Sequence, residues 1–229
     1  MDDLDWPSPN FDSRDGQVID MLVLHYTGMQ TLEDAAARLM DPKAKVSAHY
    51  LVAESGDVSC LVDEQHRAWH AGVSSWRGKT NINARSIGIE IENPGHEFGY
   101  RPFPDAQMAA VIELSRDILQ RHPIPARNVV GHSDVAPTRK QDPGELFDWP
   151  LLAQTGIGLW PFTGPESPLE TLPESSFDYA GALNAIGYET KDLTAALLAF
   201  QRHFCRTELT GTPDSRTQAR LRALLELFK

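Results

Sequence analysis

Short apolar runs alternate with segments of helical periodicity over the first 150 residues, and this alternation restricts the chain to few architectures. Met21–His25 (MLVLH) has the length of a strand, and Thr31–Met40 follows with apolar residues at helical spacing. A second strand pattern, Ser86–Glu92 (SIGIEIE), precedes the strongest helical pattern of the chain, Pro104–Arg121. This order predicts an α/β fold with a mixed central β-sheet flanked by helices.

Three further patterns describe the expected sheet. Ala48–Ala53 and Val58–Val62 are β-rich runs separated by Glu54-Ser55-Gly56-Asp57, which indicates a hairpin. Ser86–Glu92 alternates apolar and polar residues, so we expect a strand with one side in solvent. Asn128–Gly131 is a brief strand pattern at the end of the series. A hairpin among strands that alternate with helices favours a sheet with both parallel and antiparallel neighbours.

The composition changes after residue 154. Residues 155–176 contain four prolines and three glycines, which is typical of a linker. Three short helical patterns follow, roughly Tyr179–Ile186, Thr190–Phe204 and Asp214–Leu227. We therefore predict one domain over residues 1–154, a linker over 155–176 and a small three-helix domain over 177–229.

Charge and composition narrow the classes of partner. The 21 Lys+Arg residues against 32 Asp+Glu give a net charge of −11, and the basic residues form no stripe, which argues against nucleic acid. No apolar run approaches the ~20 residues of a membrane span. The N-terminus is acidic and lacks the basic start of a signal peptide. Only Cys60 and Cys205 are present, in different predicted domains, so no disulfide framework is indicated.

Two histidines stand at the ends of predicted strands. His25 ends the run MLVLH, and His132 directly follows Asn128–Gly131. Two imidazoles at such positions could converge on a metal, and a third ligand would complete a catalytic zinc site with one position left for water. Asp142 is the candidate third ligand, since it lies ten residues beyond His132. No compact zinc signature is present, so a polar loop that caps the next helix is the alternative interpretation.

A hydrolytic site also needs a proton acceptor and a group that stabilises the oxyanion. Glu90 and Glu92 lie two residues apart on one predicted strand, so their side chains share a face. They are candidates for the acceptor, and ordinary solvent-facing carboxylates are the alternative. Lys140 lies two residues before Asp142 and is the candidate cation, with a plain surface lysine as the alternative.

Five motifs, in order, carry a resemblance to a known family: LVLHYTG, VSAHYLV, RAWHAGVSSWRG, SIGIEIEN and GHSDVAPTRKQDPGELFDWP. Over about residues 17–153 the chain resembles the zinc-dependent N-acetylmuramoyl-L-alanine amidases of the amidase-2 family, which are related to animal peptidoglycan recognition proteins. The resemblance implies hydrolysis of the amide between N-acetylmuramic acid and L-alanine in peptidoglycan or anhydro-muropeptides. It also implies Zn²⁺ as the cofactor, held by His25, His132 and Asp142.

The same resemblance implies roles for other residues. The family's catalytic glutamate falls on Glu90, and its catalytic lysine falls on Lys140 as the group that stabilises the oxyanion. His49 lies in a family motif but matches no ligand, so we expect it in the core or beside a ligand. Residues expected to contact the substrate are Trp69, His70, Asn83 and Arg85, the last by pairing with a carboxylate of the stem peptide.

The C-terminal part carries a second resemblance. ALNAIGY, AALLAFQRHF and TGTPDSRTQARLRALL resemble the three-helix peptidoglycan-binding module found on cell-wall hydrolases, and a helical packing or dimerisation unit is the alternative.

The expected partner is peptidoglycan or a muropeptide, and the oligomeric state is left open. A non-catalytic peptidoglycan-binding protein is the alternative function, although all candidate ligands are present. The start of the chain favours the cytoplasm, whereas the module favours the periplasm or cell envelope.

Overall fold

A computed structural model describes residues 6–162 and 176–229 of the chain. Within these ranges it contains seven strands: β1 (Phe11–Ser13), β2 (Met21–Tyr26), β3 (Tyr50–Val52), β4 (Val58–Cys60), β5 (His66–Ala68), β6 (Ser86–Ile91) and β7 (Val129–Gly131). Its helices there are α1 (Leu32–Met40), α2 (Ile82–Arg85), α3 (Gly95–Phe98), α4 (Asp105–Arg121), α5 (His132–Val135), α6 (Trp149–Gln154), α7 (Tyr179–Ile186), α8 (Leu193–Phe204) and α9 (Ser215–Glu226). The expected strand and helix patterns therefore form where they were predicted, with ends shifted by a few residues.

The central sheet has five strands in the order β4-β3-β6-β2-β7. Strand β2 runs parallel to both β6 and β7, and β3 runs parallel to β6. Strands β3 and β4 form the antiparallel hairpin predicted around Glu54–Asp57. The mixed sheet predicted from the sequence is thus confirmed. A separate two-stranded sheet pairs β1 with β5 and was not predicted.

Helices cover both faces of the sheet. On one face the apolar side chains of β2 and β6 pack against Met108, Val111 and Ile118 of α4. On the other face Met21 and Val23 of β2 share a core with the C-terminal helices. Burial on both sides explains why β2 is almost wholly apolar, as is usual for parallel strands between two helical layers.

The expectation that β6 has one side in solvent is wrong. Ser86 and Gly88 lie on the side opposite the isoleucines, and both are buried. The loop that carries His70 covers this side, since a Cβ atom on Gly88 would lie 2.4 Å from the His70 ring. The alternation in SIGIEIE therefore reflects small and polar residues that make room for a buried histidine.

The C-terminal helices begin at aspartates that cap them. Asp178, Asp192 and Asp214 each accept a hydrogen bond from the backbone N–H three residues later. Asp192 therefore starts α8 at Leu193, a little after the predicted Thr190. Buried residues of these helices, Leu183 among them, join the same core as the sheet residues.

Residues 163–175 of the predicted linker lie outside the described residues. In the described first part of this segment, Ile157 is buried in the core that also contains Met108 and Val111 of α4. Trp160 and Phe162 form ring contacts with Phe204 of α8. The division into two domains and a linker stays a prediction. Among the described residues, no helix is long and apolar enough to cross a membrane.

Candidate active site

The carboxyl ends of the parallel strands bring three polar side chains together. His25 near the end of β2 is paired in register with Glu90 of β6, so both side chains lie on the same face of the sheet. His132 directly follows β7, on the other side of β2, and begins α5. Because parallel strands end at the same edge, residues far apart in sequence meet here.

Asp142 completes this group from the loop that follows α5. The backbone N–H of Ser133 donates to the carbonyl of Asp142 at 2.9 Å, which holds the loop against α5. The Nδ1 atoms of His25 and His132 lie 2.9 Å apart, and each is 3.0 Å from Asp142 Oδ2. All three residues are buried. The structure therefore brings together the three residues that the sequence proposed as ligands, and they could hold a metal ion.

The far nitrogens of both imidazoles are also engaged. His132 Nε2 lies 3.1 Å from the carbonyl oxygen of Ala71, and His25 Nε2 lies 3.0 Å from Nδ1 of His70. Partners of this kind fix the ring orientation and tautomer of metal-ligating histidines. Both rings consequently present Nδ1 to the centre of the group.

The protonation states of His25 and Asp142 are those that a metal ion requires of its ligands. Burial, reinforced by the neighbouring His132, lowers the pKa of His25 to about 4, so this ring is neutral at pH 7. Burial alone would favour a protonated Asp142, but His132 and His25 hold the pKa of that carboxyl well below its usual range. Metals bind neutral imidazole and ionised carboxylate, so both groups are in the required protonation state.

Glu90 lies beside this group with an unsatisfied oxygen. Its side chain is partly exposed in the cleft, but the Oε2 atom is inaccessible and has no hydrogen-bond partner in the described part of the chain. Burial raises the pKa of Glu90 well above its ordinary value, the charge of Asp142 raises it further, and Lys140 opposes the shift. Glu92 differs, because its Oε2 accepts the backbone N–H of Glu54 at 2.8 Å.

A cleft of about 350 Å³ opens over these residues. Its lining includes Glu90, His132 and Lys140 together with Arg38 and Leu39 of α1. No sequence motif pointed to Arg38, because its position in the cleft depends on how α1 docks on the sheet. Tyr26, which follows His25 directly, also lines the cleft and was not predicted to do so.

His70 lies at the base of the cleft rather than along an open groove. It is 5% exposed and lies between His25 and Ser86, whose Oγ is 3.1 Å from His70 Nε2. The ring occupies the space that Gly88 leaves free. Its main contact is therefore with a candidate metal ligand, and this position is typical of a residue that orients the ligand.

The other three predicted substrate contacts do not line the cleft formed by the described residues. Asn83 Oδ1 accepts the backbone N–H groups of His70 and Ala71 at 3.2 and 2.7 Å, so it holds the loop that carries His70. The half-buried Trp69 donates its backbone N–H to Ser47 Oγ. Arg85 donates to both carboxylate oxygens of Asp20 through Nε and Nη2. Since Asp20 and Arg85 directly precede β2 and β6, this pair lies at the sheet edge opposite His25.

His49 lies in the core, as expected. Its Nδ1 accepts the backbone N–H of Gly88 at 2.9 Å, and its Nε2 faces the carbonyl of His66 and the guanidinium of Arg14. Burial, and then the charge of Arg14, lower the pKa of His49 from its ordinary 6.5 to about 3.

This shift predicts that the metal-free protein loses stability in mild acid. Between pH 6.5 and 3 the unfolded state binds a proton on His49 that the folded state does not, so the free energy of unfolding falls as the pH falls. The loss from His49 alone is about 2 kcal/mol at pH 5. Urea unfolding at pH 8 and pH 5 measures it. His49→Asn should show a smaller loss, and an equal loss in both proteins would contradict the assignment.

The fold and the site together define a class of protein. A mixed sheet at whose edge two buried histidines and a buried aspartate meet beside a partly exposed glutamate has the components of a metal-dependent hydrolase. The family model of N-acetylmuramoyl-L-alanine amidases, Amidase_2, matches residues 15–145. The chain belongs to this family, and it is an N-acetylmuramoyl-L-alanine amidase.

Individual relatives agree with this assignment. The N-acetylmuramoyl-L-alanine amidase AmiD of Escherichia coli K12 is 40% identical over 238 residues, which cover 92% of this chain and 83% of AmiD. The 1,6-anhydro-N-acetylmuramyl-L-alanine amidase AmpD of Haemophilus influenzae is 37% identical over 161 residues, covering 62% of this chain and 85% of AmpD. The match to AmiD therefore extends over more of the chain than the match to AmpD.

Two solved structures share the fold over nearly the whole chain. The complex of E. coli AmiD with the substrate anhydro-N-acetylmuramic acid-L-Ala-D-γ-Glu-L-Lys has a TM-score of 0.78 and 39% identity, and covers 92% of this chain and 90% of that one. AmpDh3 of Pseudomonas aeruginosa in complex with anhydromuramic pentapeptide has a TM-score of 0.80 and 33% identity, and covers 100% and 99%.

Proposed function

We propose that this amidase hydrolyses the bond between the lactyl group of N-acetylmuramic acid and L-alanine with Zn²⁺ held by His25, His132 and Asp142. The observation that carries the proposal is the convergence of three donor atoms within 2.9–3.0 Å of one another. The bound anhydro-muramyl peptides of AmiD and AmpDh3 support muropeptides as the substrate class. The presence of every group needed for hydrolysis disfavours a protein that only binds peptidoglycan.

The donor set fits zinc. Catalytic zinc sites use three protein ligands, commonly imidazole nitrogens and a carboxylate oxygen, and leave a fourth position open. The open side of this group faces the cleft that Glu90 and Lys140 line. When bound, zinc supplies Lewis-acid activation of the scissile carbonyl and of the attacking water.

Glu90 acts first as the general base and then as the general acid of the reaction. Its side chain is partly exposed and lines the cleft, so the carboxylate is placed to accept a proton from the attacking water. Glu90 then passes this proton to the nitrogen of L-alanine as the amide bond breaks. A raised pKa suits this double role, because a group with a pKa nearer neutrality can both accept and donate.

Lys140 stabilises the negative oxygen that forms when water attacks the carbonyl. It lines the cleft beside Asp142, and its charge acts on both Glu90 and His25. A single donor to an oxyanion typically contributes roughly 10²–10³ in rate. The same positive charge favours the ionised form of Glu90 that accepts the proton.

Zinc removal tests the proposal. Incubation of the protein with a MurNAc-tripeptide should release the free tripeptide, which mass spectrometry detects. Dialysis against a chelator should abolish release because the Lewis acid is lost, and added Zn²⁺ should restore it. A tripeptide attached through D-alanine serves as the control substrate. Failure to release peptide after zinc is restored would contradict the proposed activity, and binding without release would favour a recognition protein.

We further propose that residues 1–154 form the catalytic domain and that residues 177–229 form a helical unit related to peptidoglycan-binding modules.

The location of the enzyme can be tested by comparing its rates on anhydro-muropeptide and on intact sacculi. A preference for anhydro-muropeptide would favour recycling in the cytoplasm, and a preference for sacculi would favour the cell envelope.

A further inference from the structure

Asp134 is a buried carboxylate beside the candidate metal group, and the proposed reaction does not use it. It is 0% exposed and lies on α5, the single helical turn that begins with His132. Its Oδ2 accepts the backbone N–H of Gly131 at 2.7 Å, so the carboxylate closes the turn that carries His132. A carboxylate buried this completely requires several hydrogen bonds to offset its lost hydration.

The C-terminal helices supply two of those hydrogen bonds. Tyr188, two residues after the end of α7, donates its hydroxyl to Asp134 Oδ1 at 2.7 Å. His203 of α8 places Nδ1 2.7 Å from Asp134 Oδ2. Both residues are buried, at 1% and 3% exposure. Two residues from the C-terminal helices thus converge on one carboxylate next to a candidate metal ligand.

The ring of His203 is itself held on both sides. It stacks on Trp149 with ring centres 3.7 Å apart and on Phe204 with centres 3.9 Å apart. Neither face of the ring is free to move without disturbing these contacts, so the direction of its Nδ1 is set by packing. The hydrogen bond to Asp134 therefore has a defined geometry.

The turn that Asp134 closes positions two candidate ligands at once. His132 is its first residue, and the backbone N–H of Ser133 donates to the carbonyl of Asp142. A small displacement of α5 would move both Nδ1 of His132 and the loop that carries Asp142. Metal affinity is sensitive to such displacements because the ligands must converge on one point.

We propose that Tyr188 and His203 are positioning residues for the metal site, and that the C-terminal helices thereby complete the catalytic domain. This inference rests on the proposed zinc function. It gives these helices a role in catalysis whether or not they also contact peptidoglycan. A module that is merely attached would have no reason to bury hydrogen-bond donors against α5.

The test is the zinc affinity of two variants that remove one donor each. Tyr188→Phe removes only the hydroxyl, and His203→Phe keeps a stacked ring but loses Nδ1. Competition with a chromophoric chelator should show a lower zinc affinity in each, by no more than the roughly 10–100-fold that loss of a direct partner of a ligand costs, because these residues act through Asp134. At saturating zinc, kcat should fall more than KM changes. His203→Asn, which can return an N–H near the position of Nδ1, should recover part of the affinity.

Tyr179→Phe is the matched control. Tyr179 is another buried tyrosine of the C-terminal helices, and its hydroxyl faces Asp214 and Gln218 rather than α5. This variant should bind zinc as the unmodified protein does, and thermal unfolding of the metal-free proteins shows whether the two Tyr→Phe changes cost similar stability. Equal zinc affinity in all variants, or a loss that simply follows stability, would overturn the inference. If the unmodified protein itself binds no zinc, the proposed function fails instead.

Discussion

Glu90→Gln is expected to lower kcat by roughly 10²–10⁴, the usual contribution of a general base, while zinc stays bound. The amide is close in shape to the carboxylate but cannot take a proton from water. Zinc should remain because its proposed ligands are His25, His132 and Asp142, whose mutual distances do not involve Glu90. Steady-state release of tripeptide and the zinc content of the purified variant are the two measurements.

Glu92→Gln is the matched control for this substitution. Glu92 lies two residues further along, but its carboxylate accepts the backbone N–H of Glu54 and does not line the cleft formed by the described residues. Its amide can accept the same hydrogen bond, so near-normal turnover is expected. If Glu90→Gln kept normal turnover, another group would have to carry the proton. If it lost zinc together with turnover, Glu90 would be a ligand and the assignment of three ligands would be incomplete.

Asp142→Ala is expected to remove the metal itself. The variant loses the anionic ligand of the group, so the fall in zinc affinity should exceed the roughly 10–100-fold that loss of an outer partner costs. Turnover should fall with it at low zinc. The second measurement is the thermal midpoint, since zinc stabilises only a protein that binds it in the folded state. Zinc should raise the midpoint of the unmodified protein and leave that of Asp142→Ala unchanged.

Asp148→Asn controls for the loss of a negative charge in the same segment. Asp148 caps α6 by accepting the backbone N–H of Leu151 and pairs with Arg206, and asparagine retains the capping function. This variant should keep stoichiometric zinc. Retention of zinc by Asp142→Ala would show that a different residue supplies the third ligand, and the proposed site would then have to be redrawn.

Local patterns were reliable where one physical cause dominated. Met21–Tyr26 forms a strand because its apolar residues are buried between two layers of helices, and the turn around Glu54–Asp57 forms the predicted hairpin. His25 and His132 meet, as expected from their positions at the ends of predicted strands. Residues at the carboxyl ends of neighbouring parallel strands lie close together, so the location of the candidate site could be predicted without knowing the register of the strands.

A prediction failed where a side chain had two possible surroundings. Ser86 and Gly88 face the buried His70 instead of solvent, and alternation alone cannot distinguish these two surroundings. The contact of Arg85 with a stem-peptide carboxylate stays a prediction, and in the structure Arg85 pairs with Asp20 at the sheet edge opposite His25. Its distance from the site follows from the direction and length of β6, which the local sequence does not specify.

The local sequence was enough to predict the strands of the central sheet, the longer helices and the chemical identity of the candidate ligands, because periodicity and donor type are properties of local residues. The position of His70 behind His25 and the contacts of Tyr188 and His203 with Asp134 became visible in the folded chain alone. These contacts join residues more than 40 positions apart in the chain. They depend on how the C-terminal helices and the loop of His70 dock on the sheet, and docking is set by the shape of the whole core.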